Sequence, residues 1–158
     1  MLEGHLYQLG YVCDSLEDGI AQFRGRGMGH EPHIIEVEQP VNGPDGREVI
    51  NAMRLCFIWI GDMQYELIQP LTDPLGVYAN ASVVPGGGPL RFHQTCMRVA
   101  DWADFRARVD SQDLPLVMER DMGGDSLKFL YLDGRATFGH YLEYTWMTDA
   151  AWEQIRRM

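Results

Sequence analysis

Apolar and polar residues alternate in short runs along most of the chain, and in two places the alternation gives way to a helical rhythm. "HLYQLGYVC" (5–13) reads as a strand. In the following "DSLEDGIAQF", Leu16, Ile20 and Phe23 share one face of a helix that Asp14 or Ser15 can cap. After the loop "RGRGMGHEP" come three strand runs, "HIIEVEQP", "EVINAMRLCFIWI" and "MQYELIQP", with Gly61 and Asp62 as a hairpin turn between the last two. Residues 5–70 thus read β-α-β-β-β. A linker over 71–89 follows, its glycines at 86 to 88 marking a flexible boundary. The order then recurs over 90–147. "RFHQTCMRV" is a strand, and "DWADFRARV" a helix opened by Asp101 with Trp102, Phe105 and Val109 facing the core. "PLVMER", "SLKFLYL" and "HYLEYTWM" are strands, and a short helix over 148–158 closes the chain. Asp149 near its start and Arg156 and Arg157 at its end suit the helix dipole.

The fold class is therefore α+β, one domain over 1–158 built from two tandem βαβββ modules. Each module alone would leave one face of its sheet bare, so the two must pack together or pair with another chain. Setting Leu16 against Trp102 gives an offset of 86, which aligns Gln8 with Gln94. The last strands align through Glu66 and Glu143 at an offset of 77. The difference falls in "QPVNGPDGRE", which has no counterpart of that length in the second module. In both modules an amide lies on the first strand and a carboxylate on the last.

Glu66 sits among Tyr65, Leu67 and Ile68 and shares its strand face with Gln64 and Ile68. A carboxylate buried there costs several kcal/mol unless it is paired, protonated or bound to a metal. On the first strand of module two, Met97 and Val99 suit the helix side, leaving Gln94, Cys96 and Arg98 on the concave side. The hairpin places Trp59 opposite Gln64 and Phe57 opposite Glu66. Two such modules enclose a pocket with apolar walls and a few convergent polar groups, the make-up of a small-molecule site. Phe57, Trp59 and Met118 are wall or core. Arg98 either holds a substrate carboxylate or neutralises one of the two glutamates.

With 13 Lys and Arg against 23 Asp and Glu the formal charge is −10, which disfavours nucleic acid and anionic membrane partners. The start "MLEGHLYQLG" has no basic segment followed by an apolar run, and no stretch is long enough to span a membrane, so a cytoplasmic location is expected. Cys13, Cys56 and Cys96 lie apart in apolar segments with no CxxC and read as buried thiols.

The tandem modules with "QLGYVCDSLEDGIAQF", "YELIQPL", "FHQTCMRVADW" and "GHYLEYTW" in this order resemble the vicinal oxygen chelate superfamily, in its glyoxalase, methylmalonyl-CoA epimerase and bleomycin-resistance-like branch. The resemblance implies U-shaped mixed sheets around a central pocket and a divalent metal held by one residue from each first and last strand. It also implies chemistry through a metal-bound enolate, and frequent pairing as homodimers. Carried onto this chain, the ligand positions are Gln8, Glu66, Gln94 and Glu143, with Glu66 and Glu143 as catalytic carboxylates. Relatives carry His, or in some glyoxalases Gln, at the first of these and mostly His at the third. His93 is the alternative to Gln94 should a β-bulge turn it inward. Two amides and two carboxylates form an all-oxygen set that favours a hard ion such as magnesium or manganese over zinc. The expected function is a lyase or isomerase acting on a small oxygenated carbonyl compound or thioester. A non-catalytic protein binding an aromatic or antibiotic-like molecule is the second reading, and an extradiol-type dioxygenase the third.

Overall fold

The computed structural model describes residues 3–81, 87–121, 124 and 126–158, so the middle of the expected linker lies outside the described residues. In chain order the elements are β1 (His5–Val12), α1 (Leu16–Arg24), β2 (His33–Asn42), β3 (Glu48–Ile60) and β4 (Met63–Thr72). A single 3-10 turn (Tyr78–Asn80) precedes β5 (Arg91–Arg98), α2 (Trp102–Val109), β6 (Leu116–Arg120) and β7 (Leu127–Leu132). A short α3 (Arg135–Phe138), β8 (Tyr141–Met147) and α4 (Asp149–Ile155) complete the chain. The 3-10 turn and α3 have no apolar periodicity of their own and are not readable from the pattern.

Local chemistry sets the boundaries. Ser15 rather than Asp14 caps α1, its Oγ accepting from the Asp18 N–H at 3.1 Å. Asp101 caps α2 through the Asp104 N–H at 2.9 Å. Thr148 caps α4 by accepting from the Ala151 N–H at 3.2 Å. The turn between β3 and β4 has Gly61 at a φ of +61°, the left-handed region a tight hairpin needs.

The eight strands form one closed barrel in the order β1-β4-β3-β2-β6-β7-β8-β5, returning to β1. Each module contributes four neighbouring strands, and in each the first strand lies parallel to the last. The modules meet along two unequal seams. β1 and β5 pair antiparallel along nearly their whole lengths, whereas β2 and β6 share a single position, Asn42 opposite Glu119. The bare faces foreseen for the separate modules are thus covered within one chain.

α1 and α2 pack on the outside of the barrel at equivalent places. Leu16 and Ile20 sit against Cys13, Cys56, Ile58 and Leu67. Trp102, Phe105 and Val109 sit against Leu130, Leu132, Leu142 and Tyr144. Each large apolar side chain buried this way contributes roughly 2 to 3 kcal/mol, so the helices are held by the face that the four-residue rhythm marks. All three cysteines are buried free thiols. Among the described residues no helix is long and apolar enough to cross a membrane.

Candidate functional site

The strand registers repeat between modules and deliver matching side chains to the barrel interior. β1 and β4 set Gln8 beside Gln64 and Gly10 beside Glu66. β5 and β8 set Gln94 beside Tyr141 and Cys96 beside Glu143. Gln8 therefore corresponds to Gln94, Gly10 to Cys96, Gln64 to Tyr141 and Glu66 to Glu143, as the two sequence offsets require. In the β3–β4 hairpin Trp59 opposes Gln64 and Phe57 opposes Glu66.

A cavity of about 300 Å³ occupies the barrel interior. Its walls include Ile35, Val37, Met53, Leu55, Phe57 and Phe129, and its polar lining includes Gln8, Gln64, Glu66 and Glu143 with Tyr7, Tyr78, Tyr131 and Thr145. Glu66 and Glu143 are 9% and 8% exposed, so each keeps only a sliver of surface, and that sliver borders the cavity. Between them lies the amide of Gln94, whose Nε2 donates to Glu66 Oε2 at 3.2 Å and to Glu143 Oε2 at 3.4 Å. The same nitrogen donates to the Tyr131 hydroxyl at 3.1 Å. Two carboxylates thus face each other across one amide group.

Their electrostatics follow from that placement. Burial, and then the charge of Glu143, push the Glu66 carboxyl well above its ordinary value. Burial raises Glu143 to about 7, and donors from Tyr131, Cys96 and Gln94 restrain the rise. Tyr7, Tyr78 and Tyr131 are held well above the usual phenol value by burial first and by Glu143 next among the acids, so they stay neutral donors and acceptors.

Gln94 reaches this position because its partner on β1 is Gly10. A Cβ on Gly10 would stand 2.2 to 2.5 Å from the Gln94 side-chain atoms, so the amide crosses the strand where only hydrogen leaves room. β5 carries a bulge at His93, skipped between the pairs Gly10–Gln94 and Tyr11–Phe92. The bulge does not bring His93 in as a replacement for Gln94. The ring is 2% exposed, stacks on Tyr78 at 5.2 Å, lies tilted against Tyr141 at 4.8 Å, and does not line the cavity. A second bulge on β1 skips Tyr7, which is why Tyr7 and Gln8, neighbours in sequence, both reach the cavity.

His93 also bears on whether the four-residue set fits a cation. Its Nε2 donates to the Val77 carbonyl at 3.1 Å, while Nδ1 meets Oε1 of Gln94. Both contacts together require an imidazolium, which burial opposes by lowering the ring's pKa. A half-turn of the Gln94 amide suits a neutral ring: its NH2 then faces Nδ1, and its oxygen faces the two acids. With the amide so turned, Glu66, Glu143 and the amide oxygens of Gln94 and Gln8 fit a hard, oxygen-preferring ion in type. With the nitrogen between the carboxylates they do not. Among the described residues no group of three His, Cys, Asp or Glu side chains converges as a metal site.

Of the expected wall residues, only Phe57 lines the cavity. Trp59 lies beneath α4, where its Nε1 donates to the Ile155 carbonyl at 3.2 Å and its ring meets Trp152 edge-on. Met118 is packed into the barrel core at 0% exposure, with its sulfur accepting from Asn51 Nδ2 at 3.7 Å. Arg98 has the parity of Gln94 but lies past the cavity at the end of β5. There it pairs with Asp149 at 3.1 Å, donates to the Met147 carbonyl at 3.3 Å and sits 4.9 Å over the Trp152 ring. It anchors α4 and reaches neither glutamate. α4 in turn covers one end of the cavity, with Ala151, Gln154 and Ile155 contributing to the lining.

Tyr78, Tyr131, Tyr7, Thr145 and Gln64 line the cavity without being among the site residues expected from the sequence. Gln64 and Tyr131 have a readable signal, since each shares a strand face with a residue of the cavity, Glu66 and Phe129 respectively. Tyr78 enters on the 3-10 turn, which the pattern does not reveal.

Comparison with known proteins agrees with this architecture. No curated protein sequence matches the chain. Among solved structures, a hypothetical protein from Bacillus halodurans is 15% identical and superposes with a TM-score of 0.57 over 91% of this chain and 94% of its own. Methylmalonyl-CoA epimerase from Streptomyces coelicolor, in complex with 2-nitronate-propionyl-CoA, is 13% identical with a TM-score of 0.56, covering 92% of this chain and 98% of its own. The epimerase from Mycobacterium tuberculosis is 19% identical with a TM-score of 0.55, covering 97% of each chain. At these identities the likeness is one of fold. The sequence model of the glyoxalase/bleomycin resistance protein/dioxygenase superfamily matches residues 7–131, and the chain belongs to that superfamily.

Proposed function

We propose that the protein is an enzyme of the lyase or isomerase type that moves a proton at the carbon beside a carbonyl group. The observation that carries this reading is the pair Glu66 and Glu143, facing across one amide at the wall of an apolar cavity. A general base works best with a pKa near the operating pH, and burial lifts Glu143 into that range. Two carboxyls on one cavity allow one to remove the proton and the other to return it. The tyrosines, held neutral, offer hydrogen bonds to the oxygen where charge develops. With the Gln94 amide turned so that its oxygen faces the acids, a divalent cation held by Glu66, Glu143 and the amide oxygens of Gln8 and Gln94 would, when bound, supply Lewis-acid stabilisation of the substrate oxygen. The epimerase fold neighbours support the type of chemistry, and substrates of the carbonyl or thioester class suit the cavity.

Solvent-proton exchange tests the reading. In heavy water the protein should incorporate deuterium at the α-carbon of a matching carbonyl compound, followed by NMR. Glu66→Gln and Glu143→Gln should each slow exchange by about 100-fold or more. A double variant that exchanges at the original rate would falsify the proposal.

The second reading, a non-catalytic binding protein, is favoured by the mainly apolar lining. Tight binding of a carbonyl compound with no exchange above background would select it. The dioxygenase reading needs two histidines and a carboxylate on the metal. Among the described residues no histidine lines the cavity.

A further inference from the structure

Gln64 is 0% exposed and lines the cavity two residues before Glu66 on the same face of β4. Its Oε1 accepts from Nε2 of Gln8 at 2.8 Å. With Gln8 presenting its Nε2, the Gln64 amide turns its oxygen to Gln8, which leaves Nε2 of Gln64 buried with no hydrogen-bond partner. A buried donor without an acceptor is a cost that folded proteins seldom carry without a reason. The repeat supplies no structural one, because the equivalent position in the second module is Tyr141. Here the amide departs from the duplicated pattern, next to one of the two carboxyls. The lining also lacks Lys, Arg and His among the described residues, while it contains two acids. An anionic ligand would add negative charge beside two buried acids in a low-dielectric space whose lining offers no cationic side chain to meet it.

We propose that the cavity takes an uncharged carbonyl compound whose oxygen accepts a hydrogen bond from Nε2 of Gln64. Gln8 acts as the positioning residue that keeps this nitrogen available. The inference rests on the proton-transfer reading for its choice of a carbonyl group, but it concerns binding and can stand or fall separately. The ligand's oxygen supplies the acceptor that the folded chain withholds, and its apolar body occupies the space between Phe57, Phe129, Met53 and Leu55. With the oxygen at Gln64, the neighbouring α-carbon is brought toward Glu66, whose position on β4 is two residues along.

Acetophenone and benzoate are suitable probes, being close in size and differing in charge. NMR titration of nitrogen-15-labelled protein near neutral pH should show saturable acetophenone binding with a shift of the Gln64 side-chain amide resonance, and at least about tenfold weaker benzoate binding. Gln64→Met keeps the side-chain length and removes the donor, and should weaken acetophenone by about tenfold, the worth of one hydrogen bond. The amide shift in the unsubstituted protein decides the matter even if the variant folds poorly. Saturable acetophenone binding that leaves that resonance unmoved overturns the proposal, as does equal or tighter binding of benzoate, or no acetophenone binding at all. Binding with the expected shift but without deuterium exchange leaves this inference in place and removes the proton-transfer reading.

Discussion

Glu143→Gln offers a direct measure of what it costs to keep an acid in this barrel. The folded protein raises the Glu143 carboxyl from 4.5 to about 7. Below the lower value both folded and unfolded chains hold the proton, and stability is at its full level. As pH rises between the two values the unfolded chain ionises while the folded one does not, so stability falls, and it levels off once pH exceeds the folded value. At 1.36 kcal/mol per unit the loss is about 3 kcal/mol between roughly pH 4.5 and pH 8. With a urea slope of about 2 kcal/mol per molar, the midpoint moves down by about 1.5 M across that range. His93 works the other way, since its lowered pKa makes the folded state gain as pH rises through the ordinary imidazole range. The lowered carboxyls of Asp14, Glu17 and Asp133 lose their contribution only as pH falls through the acid range. These terms, and the burial of Glu66, are common to the unsubstituted protein and the variant, so the difference between their pH profiles isolates Glu143 and its charge on Glu66. Urea unfolding at several pH values should show the unsubstituted midpoint falling relative to that of Glu143→Gln by an amount of this order. Parallel profiles would mean that Glu143 is not held against ionisation, and the reasoning about the site would fail.

Two further outcomes test the geometry. Gly10→Ala places a methyl 2.2 to 2.5 Å from the Gln94 amide atoms, which should cost about 1 to 3 kcal/mol of stability by overpacking and remove most deuterium exchange by displacing Gln94 from between the acids; an unchanged melting temperature and exchange rate would show that Gln94 lies elsewhere. Saturating Mn2+ or Mg2+ should raise the melting temperature, since an ion at 100 times its Kd stabilises by about 2.7 kcal/mol, and Glu66→Gln should abolish the rise; no shift in the unsubstituted protein would remove the cation from the site.

Most of the fold is legible in the sequence because alternation and helix rhythm record which face of each element is buried. The two offsets even anticipate the strand register, because duplicated modules repeat their hydrogen-bond ladders as well as their apolar faces. Bulges interrupt this logic. One extra residue at Tyr7 and another at His93 shift the alternation, so that Tyr7 joins Gln8 at the cavity while His93 does not line it, and nothing in the local composition marks them. Arg98 shows a different limit. Parity gives the face of a strand but not how far along the barrel a residue lies, so Arg98 shares the face of Gln94 and still ends under α4. Met118 likewise faces inward but at a depth where the core is filled. Tyr78 was beyond reach for a third reason, because a lone 3-10 turn in an irregular segment carries no period to read.

Duplication accounts for the presence of two acids, and the departures from it account for their inequality. Glu143 has Cys96 beside it in the parallel ladder, where Glu66 has Gly10, and it also draws on Tyr131 and Gln94. Glu66 receives Gln94 alone from that set and feels the charge of its neighbour. The pair titrates as a unit, and the better-served carboxyl is the one that ionises first. In the proposed transfer this ordering makes Glu143 the base and Glu66 the acid. The roles follow from which residues stand beside each carboxyl, so removing the hydroxyl beside Glu143 by Tyr131→Phe should raise Glu143 toward Glu66 and blur the distinction. A symmetric pair would have no preferred direction; this one acquires it from side chains that the second module has and the first lacks.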